Sequence, residues 1–261
     1  MLKSPYILAI DQGTSSTRAA LIDKKGVIID QESIEIKQIY PANGWVEHDP
    51  LEIMETVKST ILTIFERNNI TQNDIVSCGI TNQRETIIAW DKITGKPLYN
   101  AIVWQDRRTE EICKKLEDQN YNDLIQSKTG LVIDPYFSGS KIQWLLENIK
   151  DHNNLIVGTI DTWIIWNLTN HNNHVTDITN ASRTMLFNIH DEKWDQVLLN
   201  LFQLDSKILP EVLSNKDDFG IINKEHFGFE ISIGGVVGDQ QSASIGQLCL
   251  SKGMIKATYG T

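Results

Sequence analysis

The sequence is short of cysteine, lacks any long apolar run and carries no excess of basic charge. Its three cysteines, Cys78, Cys113 and Cys249, are odd in number and far apart. That spacing supports neither a disulfide framework nor a zinc site, and buried or incidental thiols in a reducing compartment are expected. Lys and Arg total 24 against 34 Asp and Glu, a formal net charge of −10, which argues against a nucleic-acid backbone as partner. No apolar stretch approaches the length of a membrane span. The chain enters a strand without the basic segment and apolar stretch of a secretion signal, so a cytoplasmic location is expected. In that setting the acceptor-like triplets at Asn69, Asn167 and Asn180 carry little meaning. His171 and His174 lie in an Asn-rich stretch that reads as a solvated turn. Neither G-x-x-x-x-G-K-[ST] nor G-x-G-x-x-G occurs, so a nucleotide would need another kind of cradle. There is no linker rich in Pro, Gly or Ser and no low-complexity tract.

What is present is an ordinary globular composition. A chain of 261 residues, 41% hydrophobic and 22% charged, is long enough for one large or two modest domains. Tyr6 to Ile10 and Arg18 to Asp23 read as strands, joined by Asp11-Gln12-Gly13-Thr14-Ser15-Ser16-Thr17. A third strand follows over Val27 to Asp30. Gly13 permits close backbone approach, and Thr14, Ser15 and Ser16 set hydroxyls beside backbone N–H groups, a small anion nest. Asp11 ends its strand, where a carboxylate can hold a divalent cation through water. Arg18 offers a planar fork to phosphate. An ordinary turn has the same composition. A second Asp-Gln pair, Asp239-Gln240, ends the glycine-flanked strand Ile233 to Gly238 and opens a helix. Ligands gather at such strand ends in α/β sheets.

Asp49-Pro50-Leu51-Glu52 announces a helix whose apolar face is Ile53, Met54, Val57, Ile61, Ile64 and Phe65. Further strands are expected over Ile75 to Thr81, Thr86 to Trp90, Ala101 to Trp104, Ser182 to Phe187 and Gly253 to Thr258. Helices are expected from Gln105 to about Asp118, Gly139 to Ile149, Leu155 to Leu168, and around Trp194 to Leu204. The order predicts an α/β unit of mixed topology. Arg84 and Glu85 fall in a loop between strands, where they can converge on vicinal hydroxyls or form a surface ion pair. Trp104 and Tyr136 suit the walls of a small polar pocket or the core. Asp239 is placed to accept a proton from an alcohol, with Gln240 to orient it or to hold substrate. Tyr259-Gly260-Thr261 reads as a turn that should feed another strand, so a fragment cut near the start of a second domain is expected.

Taken together, six segments resemble the FGGY carbohydrate kinases of the actin-like ATPase superfamily: Asp11 to Ser16, Asn82 to Thr86, Val103 to Arg108, Gly158 to Trp163, Thr179 to Thr184 and Gly238 to Gln241. The resemblance spans essentially the whole chain. It implies an α/β fold of the actin-like ATPase (ribonuclease H-like) type, with a mixed central sheet and helices on both faces. Residues 1–252 would form the N-terminal domain and residues 253–261 the start of a truncated nucleotide-binding domain. The implied activity is ATP-dependent phosphorylation of glycerol to sn-glycerol 3-phosphate, with Mg2+. By position, Arg84, Glu85, Tyr136, Asp239 and Gln240 match substrate-binding residues, and Trp104 matches a wall. Asp239 matches the catalytic base. Thr14, Ser15, Ser16 and Arg18 match phosphate-binding positions, Thr261 a nucleotide contact and Asp11 the metal carboxylate. Family members run to about twice this length and often pair into dimers or tetramers, so a homo-oligomer is implied for the longer protein, and an inactive half for the isolated chain. Glu230 stands where some relatives need an arginine for fructose 1,6-bisphosphate, so no such inhibition is expected. Two other readings remain: a pentulose or gluconate kinase of the same family, and an ATP-driven module without a small-molecule acceptor.

Overall fold

The computed structural model describes residues 5–150 and 153–258. The chain opens with a meander, β1 (Tyr6–Gln12), β2 (Ser16–Ile22) and β3 (Ile28–Glu35). It passes through β4 (Glu47–His48) into the 19-residue helix α1 (Pro50–Asn68). β5 (Ile75–Asn82), β6 (Ile87–Asp91) and the short β7 (Ala101–Ile102) precede three helices, α2 (Glu110–Asp118), α3 (Asn122–Thr129) and α4 (Ser138–Asn148). β8 (Leu155–Thr159) runs directly into α5 (Ile160–Leu168). Shorter pieces follow: β9 (Val175–Asp177), α6 (Ile178–Ala181), β10 (Phe187–Asn188), β11 (Lys193–Trp194), α7 (Gln196–Leu201), β12 (Glu211–Leu213), β13 (Ile221–Ile222) and α8 (Lys224–Phe227). β14 (Ile231–Gly238) and α9 (Asp239–Gly246) complete the regular structure.

The main sheet has six strands in the order β13-β14-β5-β1-β2-β3. β1 is antiparallel to β2 but parallel to β5, and β14 is parallel to β5. The sheet is therefore mixed, as expected. Alternation along β1 buries Leu8, Ile10 and Gln12 on one face, and α1 and α5 pack on that face within one apolar cluster. α9 approaches the opposite face, where the Ser242 and Thr81 hydroxyls lie 2.8 Å apart. A four-stranded sheet, β4-β7-β6-β8, carries a second cluster with residues of α2, α4 and α7.

α1 starts where the sequence places it. Asp49 accepts the Leu51 N–H at 2.8 Å, Pro50 takes the first turn, and Asn69 ends the helix in the left-handed region. Four expectations need correction. Leu155 to Leu168 is not all helix. Its first five residues pair with β6 and are buried throughout, and a short apolar run buried on both faces has no period to distinguish strand from helix. Ser182 to Phe187 is turn up to its last residue, with Arg183 and Thr184 donating N–H groups to Asn180 and Ala181. Gln105 to Arg108 is also turn, and the helix begins at Glu110. Its Asp106 carboxylate accepts the N–H groups of Val46 and Arg108. Among the described residues, Gly253 to Thr258 forms no strand; without a partner to pair with, an extended segment has no ladder. The turn from Tyr259 lies outside the described residues.

Gly158 makes the close join between β8 and α5 possible. A Cβ there would meet Thr162 Cβ at 2.5 Å and Trp90 Cη2 at 2.9 Å. Trp90 is locked against Trp163 at 5.1 Å between ring centroids and has no room to yield. Gly158→Ala is expected to destabilise the fold by roughly 1–3 kcal/mol. A urea midpoint equal to that of the parent would refute this.

Candidate active site

Three parallel strands end together. Gln12 of β1 lies beside Asn82 of β5, and Asn82 beside Gly238 of β14. Residues next to these positions are forced to one edge of the sheet, so Asp11, Arg84, Glu85 and Asp239 converge although they are distant in sequence. Asn82 reinforces the junction by exchanging amide hydrogen bonds with Asn180, both at 3.0 Å.

The turn between β1 and β2 is held from below by neutral groups. Gly13 N–H donates to Ser16 O at 2.9 Å. Gln38 Nε2 donates to Thr14 O at 2.8 Å, and Gln83 Nε2 to Gly13 O at 3.1 Å. Buried His48 touches both glutamines, at 2.9 Å and 3.4 Å. Burial depresses its pKa from 6.5 to about 4, so the ring is uncharged near neutrality. The N–H groups of Thr14 and Ser15 have no acceptor among the described residues. Two open donors, the nearby hydroxyls and the exposed Arg18 fit an anion. Asp11 sits opposite Arg18 in the β1–β2 register and receives no hydrogen bond among the described residues. Burial raises its pKa, Arg18 lowers it, and the charge of Asp239 raises it again. The two carboxylates therefore share one neighbourhood. A partly buried carboxylate without donors among the described residues suits a hydrated divalent cation.

Across the strand ends, Arg84 Nε donates to Asp239 Oδ1 at 2.9 Å, and its Nη1 reaches Gln241 Oε1 at 3.3 Å. Gly238 lets Arg84 lie there, since a Cβ would meet Arg84 Cδ at 2.6 Å. Thr179 Oγ1 accepts the Gly238 N–H at 2.8 Å and steadies the backbone just before Asp239. Glu85 takes a left-handed backbone, φ 63°, which is costly for a side chain other than glycine. The Ser138 hydroxyl, donating to Glu85 O at 2.9 Å, helps to hold it. Glu85 is 1% exposed, and Arg183 Nε donates to its Oε1 at 2.6 Å. Burial raises the Glu85 pKa, Arg84 and Arg183 oppose that, and Asp239 adds to it. Each carboxylate thus gives one oxygen to an arginine. Asp239 Oδ2 and Glu85 Oε2 have no donor among the described residues.

Trp104 and Tyr136 face one another with ring centroids 5.3 Å apart. Trp104 Nε1 donates to Thr14 Oγ1 at 2.8 Å, tying the aromatic wall to the anion turn. Burial raises the Tyr136 pKa, and the charge of Glu85 raises it further. Of the residues expected from sequence, Asp11, Thr14, Arg84, Glu85, Trp104, Tyr136 and Asp239 form this connected group. Ser15, Ser16 and Arg18 line the turn without side-chain hydrogen bonds among the described residues. The exposed Gln240 is engaged by Lys256 Nζ at 2.9 Å and Thr258 Oγ1 at 3.3 Å. Thr261 lies outside the described residues. Sequence reading gave no role to Arg183, Gln83, His48 or Thr179. A buried Glu85 with its arginine neighbour turned to Asp239 demands a second cation, which Arg183 supplies from 98 residues away.

Residues 6–246 match the FGGY family of carbohydrate kinases, N-terminal domain. A glycerol kinase of Lactobacillus acidophilus is 51% identical over 267 residues, covering 100% of this chain and 53% of that protein. Glycerol kinase 2 of Thermotoga maritima is 50% identical over 262 residues, covering 98% of this chain and 53% of that protein. Among solved structures, Plasmodium falciparum glycerol kinase with ADP superposes with a TM-score of 0.92 at 41% identity, over 96% of this chain and 52% of that one. The chain spans about half the length of the curated relatives that it matches. With the three strand ends, the anion turn and the paired carboxylates all within the matched span, the chain belongs to the FGGY family of carbohydrate kinases, in which it corresponds to the N-terminal domain.

Proposed function

We propose that this chain supplies the glycerol and phosphate sites of an ATP-dependent glycerol kinase, which transfers the γ-phosphoryl group to a terminal hydroxyl and forms sn-glycerol 3-phosphate. The observation that carries this reading is the pair of half-used carboxylates. Glu85 and Asp239 each bind an arginine through one oxygen and keep the other open, beside a turn with open N–H donors. A triol needs such a mixture of acceptors and donors. Relatives about 50% identical that are named glycerol kinases support the choice of substrate.

In this reading Glu85 accepts from a glycerol hydroxyl, Arg84 donates to a hydroxyl oxygen, and the Tyr136 hydroxyl bonds to the same molecule. Trp104 covers the carbon chain, and Gln240 swings in from Lys256 to flank Asp239. Asp239 takes the proton of the attacking hydroxyl through its open oxygen. Thr14, Ser15, Ser16 and Arg18 hold the phosphate tail, and Thr261 makes a nucleotide contact. Asp11 would hold Mg2+ through water, and the ion when bound would offset charge on the phosphoryl oxygens. Positioning and fixed electrostatics then account for most of the rate. Cytoplasmic location and assembly into dimers or tetramers belong to the same proposal.

Three outcomes test it. In the enzyme that contains this chain, Asp239→Asn should keep glycerol affinity and lose about 10²–10⁴-fold in turnover; calorimetry and a coupled ADP assay read the two. Turnover near that of the parent would remove Asp239 as base. A panel of glycerol, xylulose and gluconate should show turnover with glycerol, whereas ATP hydrolysis indifferent to all three would support an acceptor-free module. Arg183→Met should weaken glycerol binding roughly 10–100-fold, the range for a charged hydrogen bond. It should also change the pH profile. Losing a cation raises the Glu85 pKa further, protonation removes the acceptor, and affinity should therefore fall at a higher pH than in the parent as the medium is acidified. An unchanged acid limb would mean that Arg183 does not act through Glu85.

A further inference from the structure

Lys141, on α4, is 0% exposed, yet no carboxylate pairs with it among the described residues. Its ammonium instead donates to the carbonyls of three successive residues: to Pro135 O, to Tyr136 O at 2.9 Å and to Phe137 O at 3.4 Å. Burying an ammonium without a counter-ion is expensive, and an apolar side chain would pack between these helices and strands at no such cost. The three N–H donors match three acceptors, and those acceptors belong to the turn that carries Tyr136. The same turn is pinned at its start by Tyr136 N–H donating to Asp134 Oδ1 at 2.8 Å. Its next residue, Ser138, bonds to the backbone of Glu85.

We propose that Lys141 is a positioning residue for the polyol pocket: its charged ammonium clamps the carbonyls of residues 135–137 and so holds Tyr136 against Trp104 and beside Glu85. The proposal rests on the glycerol-site reading for its consequence, though the clamp itself does not. A neutral amine has two donors and a lone pair, and the lone pair would face a carbonyl oxygen. One bond is then lost and a repulsion gained, and the turn loosens.

The charge state is set within reach of ordinary pH. Burial pulls the Lys141 pKa from 10.5 to about 8, against Asp106 on the loop after β7, Cys113 on α2, Glu85 on the β5–β6 turn and Asp134 on its own loop, all of which favour the cation. Cys113 is itself pushed up to about 11, chiefly by burial, and Tyr136 is raised above 10. Lys141, at about 8, therefore changes state between pH 7 and pH 9, below Cys113. The two consequences have opposite signs. Between the folded and unfolded pKa the unfolded chain binds more protons, so this group makes global stability rise with pH. Over the same window the clamp opens.

The test compares the parent with Lys141→Met, both in the enzyme that contains this chain, between pH 6.5 and 9.5, by hydrogen-exchange protection of residues 134–138, glycerol titration calorimetry and urea unfolding. For the parent, protection of that segment and glycerol affinity should both fall, affinity by roughly tenfold or less as expected for one hydrogen bond, while the urea midpoint holds or rises. Lys141→Met should show low protection and weak binding at every pH, with no loss of global stability. A flat parent profile overturns the proposal, as does a variant that keeps the parent's protection. Should the variant not fold, the parent's pH profile alone decides. Absence of glycerol binding by the parent at pH 7 would instead count against the substrate reading, and the exchange data would still judge the clamp.

Discussion

The register of three parallel strands is the constraint from which the site follows. β1, β5 and β14 are hydrogen-bonded so that Gln12, Asn82 and Gly238 lie abreast, and a shift of one residue in any of them would send its terminal polar group to the other face. Backbone hydrogen bonding thus does the work of bringing together residues more than 200 positions apart in sequence, Asp11 and Asp239. The side chains that meet there need no flexible linkers or long loops to find each other.

Charge at this edge is handled sparingly. The turn that fits an anion rests on the amides of Gln38 and Gln83 and on an uncharged His48, and its Thr14 and Ser15 N–H groups are left without an acceptor among the described residues. Glu85 and Asp239 are treated in the opposite way, each with one arginine. A lone buried carboxylate would take up a proton and cease to accept from a hydroxyl. At Glu85 the arginines oppose the rise that burial imposes on the pKa, while half of the carboxylate stays available.

The sequence made the polar ends of β1, β5 and β14 readable because each motif is local. Asp11 to Ser16, Arg84-Glu85 and Asp239 sit where an apolar run stops and turn chemistry begins. Arg183 was not readable in this way, because its partner Glu85 lies 98 residues away and nothing in the flanking residues marks the contact. Lys141 was harder still. Its partners are backbone carbonyls, which every residue has. In the fold, α1 was legible from its cap and its apolar period. β8 was not, since burial on all sides of Leu155–Thr159 erases alternation, and the expectation for Gly253 to Thr258 failed because strand character belongs to a pair of segments.

The left-handed backbone at Glu85 limits how this pocket can diversify. A residue there has to tolerate a conformation that suits glycine and asparagine and that branched side chains resist. Reshaping the pocket by exchanging this carboxylate is thus closed to valine, isoleucine and threonine on conformational grounds alone, before any question of chemistry arises. Evolutionary tuning of the acceptor would have to proceed through its neighbours, chiefly the aromatic wall.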